Sequence, residues 1–140
     1  MKMSVIVRSA TRLLSPFLVV YSLYLMVFGH LTPGGGFQAG VIFAASVILL
    51  ILSRGYKEIR DAFSSHVIRL LESSSILIIL LLAITGLGFG GFFFNFIRGG
   101  EFGSLFSGGI VPIFNILVGL EVGAAFVFLF YIFLKEVEND

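Results

Sequence analysis

The sequence predicts an all-α integral membrane protein of four transmembrane helices. Its N and C termini are expected in the cytoplasm, and an interfacial amphipathic helix is expected between spans two and three. Three observations carry that expectation. Hydrophobic residues make up 58% of the chain and charged residues 12%, with a mean hydropathy of +1.09; soluble domains run nearer half apolar and a quarter charged. Four apolar runs each reach the roughly 20 residues that a spanning helix needs. The charges are also sorted: with four spans, Lys2, Arg8, Arg12, Arg54, Lys57, Arg60, Arg69 and Lys135 fall on one side and only Arg98 on the other. The positive-inside rule assigns the first side to the cytoplasm.

Residues 1–12 read as a short, mildly amphipathic lead-in. The N-terminal apolar run is too long for a signal peptide and lacks a small-residue cleavage pattern, so none is expected. The first span runs from Leu13 to Leu31, with Pro16 in its first turn, where a missing N–H is tolerated. Gly29-His30-Leu31-Thr32-Pro33-Gly34-Gly35-Gly36-Phe37-Gln38-Ala39-Gly40 then joins two apolar runs with no room for a loop. Counting back from Arg54 places the second span at about Pro33 to Ser53, with Thr32 as N-cap and Pro33 as the first helical residue. In the charged stretch 54–69, Tyr56, Ile59, Phe63, Val67 and Leu70 keep helical spacing, which predicts the interfacial helix. The third span covers about Leu71 to Phe89 and frays into Gly86, Gly88, Gly90 and Gly91. Residues 92–109 are rich in Gly and Phe, the fourth span runs from about Ile110 to Leu134, and Lys135 to Asp140 form a solvated tail. A single membrane domain over 1–140, without internal repeat, is expected in the cell membrane.

The composition excludes several function classes. No cysteine is present, so there is no disulfide framework, thiolate metal site or iron–sulfur ligand set. A net charge of +1 argues against a nucleic-acid partner. No nucleophile–base pair and no metal-ligand spacing occurs; His30 and His66 fall on opposite membrane faces, and neither a catalytic residue nor a cofactor is expected.

What remains is a set of intramembrane polar and small residues. Gly36-x-x-x-Gly40, continued by Ala44, is a small-residue stripe that lets another helix backbone approach closely. Its sharper alternative is a helix start whose free N–H groups face an ion or water path. His30 closes the first span as an interfacial residue bonded to a carbonyl or, alternatively, as a proton relay. Gln38 reads as a helix–helix hydrogen-bond partner before an ion ligand. Glu72, three residues after Arg69, reads as half of a local ion pair, and Glu101 with Arg98 as loop charges. Glu121 stands apart: it lies about 16 Å into the fourth span at 1.5 Å per residue, where an acidic group costs about 2.5–3.5 kcal/mol and is functional by default. Gly119 and Gly123 form a second small-residue pair roughly 200° round the helix from it. With glycines packing one helix and Glu121 unable to face lipid, that span needs neighbours on both sides, more than one chain is expected to supply, hence a larger complex.

The run Gly29-His30-x-x-Pro33-Gly34-Gly35-Gly36-Phe37-x-x-Gly40 resembles the hallmark of the MnhB/MrpB family, small four-helix subunits of multisubunit Mrp-type Na⁺/H⁺ antiporters. The resemblance extends over nearly the whole chain, through the basic N-terminus, the basic second connection and Glu121-Val122-Gly123, where antiporter members carry Asp-x-Gly. The same module is built into archaeal membrane-bound hydrogenases and sulfur-reducing complexes. The resemblance implies a non-catalytic subunit without redox centre, helping to form or wall an ion path. It also implies other small Mrp-type subunits and a large antiporter-like subunit as partners, Na⁺ and H⁺ as the ions, and the bilayer as surroundings. The residues alone leave open a free-standing tetraspan transporter or a pure assembly scaffold.

Overall fold

The computed structural model describes residues 4–97, 100–101, 103–105 and 107–139; Lys2, Arg98 and Asp140 lie outside them. Among the described residues there are five helices and no strand: α1 Val5–Phe28, α2 Gly36–Arg54, α3 Tyr56–Ala62, α4 Ser65–Leu87 and α5 Val111–Asn139. All but α3 are long and apolar enough to cross a membrane, which gives the four expected spans. They stand in a row, α1 on α2, α2 on α5 and α5 on α4, with a lesser contact between α1 and α5.

Element boundaries differ from the sequence expectation in several places: the first span stops at Phe28 and not at Leu31, and four further differences have a local reason. The lead-in is not separate: α1 starts at Val5, with the Ser4 hydroxyl accepting from the Val7 N–H at 3.3 Å. Pro16 therefore sits in the helix interior, where its missing N–H leaves the Arg12 carbonyl without its usual donor; the ring itself is exposed. Helix α2 starts at Gly36, not Pro33, because Thr32 serves the other helix: its N–H and its hydroxyl both donate to the Phe28 carbonyl, at 3.1 Å each. The interfacial helix ends at Ala62. Ser64 caps a new helix by accepting from the Val67 N–H at 3.3 Å, so Val67 and Leu70 belong to the third span. Finally, α5 stays helical through Asn139, and the residues from Lys135 continue it.

The core lies in two patches along α2. Toward the end of the molecule that carries α3, Ala44, Val47 and Ile51 of α2 meet Ala124, Val127 and Tyr131 of α5, closed by Ile59 and Ile68. There the Tyr131 hydroxyl donates to the Phe63 carbonyl at 3.0 Å, and its ring meets Tyr56 edge-on. Toward the hairpin, Leu25 and Met26 of α1 pack on Ala39. At the level of the first patch, the buried Ser46 hydroxyl donates to the Ser15 carbonyl at 3.0 Å and sets the register of α1 against α2. In apolar surroundings a hydroxyl finds such a partner or costs free energy.

Candidate functional site: the glycine seam and the flank of Glu121

The hairpin between α1 and α2 positions everything else. Gly34 takes φ +136°, a backbone region that side chains rarely adopt, and Gly35 enters α2 extended. A Cβ on Gly29 would come within 3.0 Å of the Gly35 Cα and 3.2 Å of the Asn115 amide. The turn is thus closed on itself and against α5. Pro33, Phe37 and Gln38 point outward and are exposed.

Just inside the turn, the two small-residue pairs meet each other. A Cβ on Gly36 would collide with the backbone carbonyl of Asn115. One on Gly40 would stand 2.7 Å from the Gly119 carbonyl oxygen and 2.8 Å from the Gly123 nitrogen. Gly119 in turn faces Met26 of α1, and Gly123 lies against Phe43 and Gly40. The seam is an intrachain contact of α2 on α5, so the glycines expected to pack a helix do so inside their own chain.

Glu121 lies on a different flank of α5. It is partly buried, and among the described residues it has neither an ion pair nor a hydrogen bond. Its neighbour Leu120 lines a small apolar cavity shared with Met26, Phe43 and Ile68, which Glu121 does not line. Within the chain α5 packs against α2 and α4, and less against α1; what the chain does not give among the described residues is a polar partner for the carboxyl group.

His30 lies in the turn after α1, beside Gly108 and Val111, on a pocket shared with Leu31 and Ser107. Both of its ring nitrogens are buried with no hydrogen-bond partner among the described residues, so the expected carbonyl bond is not made there. Gln38 makes no hydrogen bond among them either, and Glu101 is exposed. The expected Arg69–Glu72 pair does not form: the Arg69 guanidinium sits 5.5 Å from the Phe128 ring centre, on the neighbouring helix. His66 is exposed near it. No group of three His, Asp or Glu side chains among the described residues is arranged to hold a metal ion.

Two asparagines matter that the sequence reading passed over. Asn95 reaches across the 92–109 segment, accepting from the Ile110 N–H at 3.1 Å and donating to the Gly108 carbonyl, and so pins the start of α5. Asn115 stands against Gly29 and Gly35. Both were visible as amides amid glycine and phenylalanine, but their partners lie too far along the chain for spacing to reveal.

Comparison with known proteins bears on residues of this site. A family described as a domain related to the MnhB subunit of Na⁺/H⁺ antiporters matches residues 6–128. A Na⁺/H⁺ antiporter subunit of Bacillus subtilis is 35% identical over 83 residues, 59% of this chain and 55% of that protein. An uncharacterised protein of Methanocaldococcus jannaschii is 34% identical over 116 residues, 78% of this chain and 44% of that one. Among solved structures, a chain of the membrane-bound sulfane sulfur reductase, an archaeal respiratory membrane complex, superposes with a TM-score of 0.71. It is 30% identical, over 93% of this chain and 57% of that one. The chain spans about half the length of the relatives it matches.

Proposed function

The chain belongs to the family of domains related to the MnhB subunit of Na⁺/H⁺ antiporters, and from that premise we infer that it is a non-catalytic, multi-pass subunit of an Mrp-type module. In this reading residues 1–140 act as one unit that helps to form or wall an ion path, in a stand-alone antiporter or within a respiratory complex. The observation that carries the reading is the family match, which runs through the hairpin, the glycine seam and Glu121 alike. The unpartnered state of Glu121 among the described residues supports it. A carboxyl group at that depth calls for water, a cation or a hydrogen-bond donor, which another subunit supplies.

Within the same reading, Glu121 is the principal polar residue. His30 offers two ring nitrogens that have no partner among the described residues, at the outer end, and Gln38 offers its amide to a neighbouring helix. Other small Mrp-type subunits and a large antiporter-like subunit are the partners, with Na⁺ and H⁺ as the ions. The termini lie in the cytoplasm, following the charge asymmetry. Affinity purification of the full chain from native membranes tests the assignment. Co-purification of several distinct small membrane subunits with a large antiporter-like one is the expected result, and extraction as a homo-oligomer alone would overturn it. Single cysteines at Ser64 and Ser104 test the topology: they should react with an impermeant reagent from the cytoplasmic and outer sides respectively, and labelling from one side would refute it.

A further inference from the structure

We propose that the end of the α1–α2 pair remote from the hairpin is a binding site for the phosphate group of an anionic phospholipid. In sequence, the arginines are only a diffuse basic side. In the fold, three of them converge on one open, largely polar cleft of about 340 Å³ lined by Arg8, Arg12, Ser53, Arg54 and Glu58. The one carboxylate is already engaged, with Glu58 3.5 Å from Arg54. Arg8 and Arg12 have no ion pair among the described residues. Four residues apart on one helix, they share a face, and two guanidinium forks side by side match the oxygens of a phosphodiester better than point charges would.

Depth and surroundings favour a lipid over a soluble anion. The Ser46–Ser15 bond fixes the antiparallel register, which sets Arg8 level with Arg54 and Arg12 about one turn, roughly 6 Å, closer to the bilayer centre. A guanidinium at that depth reaches back toward the head-group level. The Arg8–Arg12 stripe continues toward the bilayer centre at helical spacing with Pro16, Val20 and Leu23, all exposed. A phosphate held by the arginines therefore has an apolar rail directly beyond it for an acyl chain. Basic pockets between spanning helices are a recurrent place for anionic head groups. The proposed orientation decides only which leaflet supplies the lipid.

The test is native mass spectrometry of the detergent-solubilised full chain, titrated with phosphatidylglycerol or phosphatidylcholine of the same acyl chains. Phosphatidylglycerol should bind preferentially, and Arg8→Gln/Arg12→Gln should lower its affinity on the order of 30-fold. Arg60→Gln/Arg69→Gln, which removes two charges from the α3–α4 side of the same end, should leave it within about threefold, since those groups stand outside the cleft. Equal losses in the two double variants would overturn the proposal in favour of diffuse attraction, as would no loss in either. Arg8→Lys/Arg12→Lys, which keeps both charges and loses the forks, should bind with intermediate affinity; wild-type affinity in that variant would overturn the forked contact in favour of point charges. Displacement of the lipid by millimolar inorganic phosphate would reassign the cleft to a free anion. Retention by the isolated chain but not by the native complex would reassign it to an acidic segment of a partner.

Discussion

Helix α5 has two working sides, and they are finished to different degrees. On the side facing α2, the backbone of α5 comes so close to Gly36 and Gly40 that the first obstacles to a carbon added at either are backbone atoms of Asn115, Gly119 and Gly123. On another flank, Glu121 is partly covered yet has no polar partner among the described residues. The two spans packed on α5, one at the seam and one away from it, show the same contrast. Of their most apolar stretches, 44% is buried within the chain for α2 but only 17% for α4. Exposed apolar side chains satisfy a helix that faces lipid, so α4 needs no partner on that account. An intramembrane carboxyl group does need one. The small-residue stripes therefore say how this chain folds, and the lone acid says where it is incomplete.

The seam can be broken most severely at Gly40. Leucine there must displace the backbone of α5 itself, and because overpacking typically costs about 1–3 kcal/mol even where side chains can yield, Gly40→Leu should lose cooperative thermal unfolding altogether. A wild-type unfolding temperature for that variant would mean that α2 and α5 do not meet as described. Gly119→Ala is a milder probe, of the adjoining contact between α5 and α1. Its new carbon would stand 2.7 Å from the Cγ of Met26, a flexible side chain, so a loss of about 1 kcal/mol is expected. A Met26→Ala background should recover part of it. The smallest effect is expected at Asn95, whose replacement by alanine removes the acceptor for the Ile110 N–H and should cost roughly 0.5–1.5 kcal/mol. Hydrogen exchange should then quicken at the first turn of α5 and not at the seam; faster exchange at both would place Asn95 in the core contact.

Much of this was legible in the residues, and what was not has specific causes. Hydropathy located four spans because lipid exposure demands apolar side chains all round a helix. The glycine pairs announced close helix packing, but a small-residue stripe does not name its partner, and only the fold joins Gly36 and Gly40 to Gly119 and Gly123. Thr32 before Pro33 has the form of a helix start. Two helix ends compete for that one residue, and the end of α1 takes it. The break at Ser64 was hidden because apolar spacing runs on unchanged from Tyr56 to Leu70. The signal that could have found it, a serine pair just before the apolar run, was present. Glu121 was legible as an anomaly from depth alone, whereas its lack of a partner among the described residues is a statement about every neighbouring helix, which no linear pattern contains.

That lack makes opposite demands on the isolated chain and on the complete complex. In the isolated chain, Glu121→Leu removes an acidic group from the membrane without breaking any bond to the described residues, so its thermal stability should equal or exceed that of the wild type. In the complete complex the same residue should matter. The decisive measurement is Na⁺-dependent proton transport in vesicles, made alongside the amount of assembled complex on a native gel, for Glu121→Gln, Glu121→Asp and Glu121→Leu. Glu121→Gln should assemble normally with transport reduced about tenfold or more, Glu121→Asp should keep part of the activity, and Glu121→Leu should lose transport. Normal transport with Glu121→Gln but weakened assembly with Glu121→Leu would make the residue an intersubunit anchor instead of part of an ion path. Wild-type transport and wild-type assembly for Glu121→Leu would contradict both, and with them the claim that this chain leaves its acid for another subunit to complete.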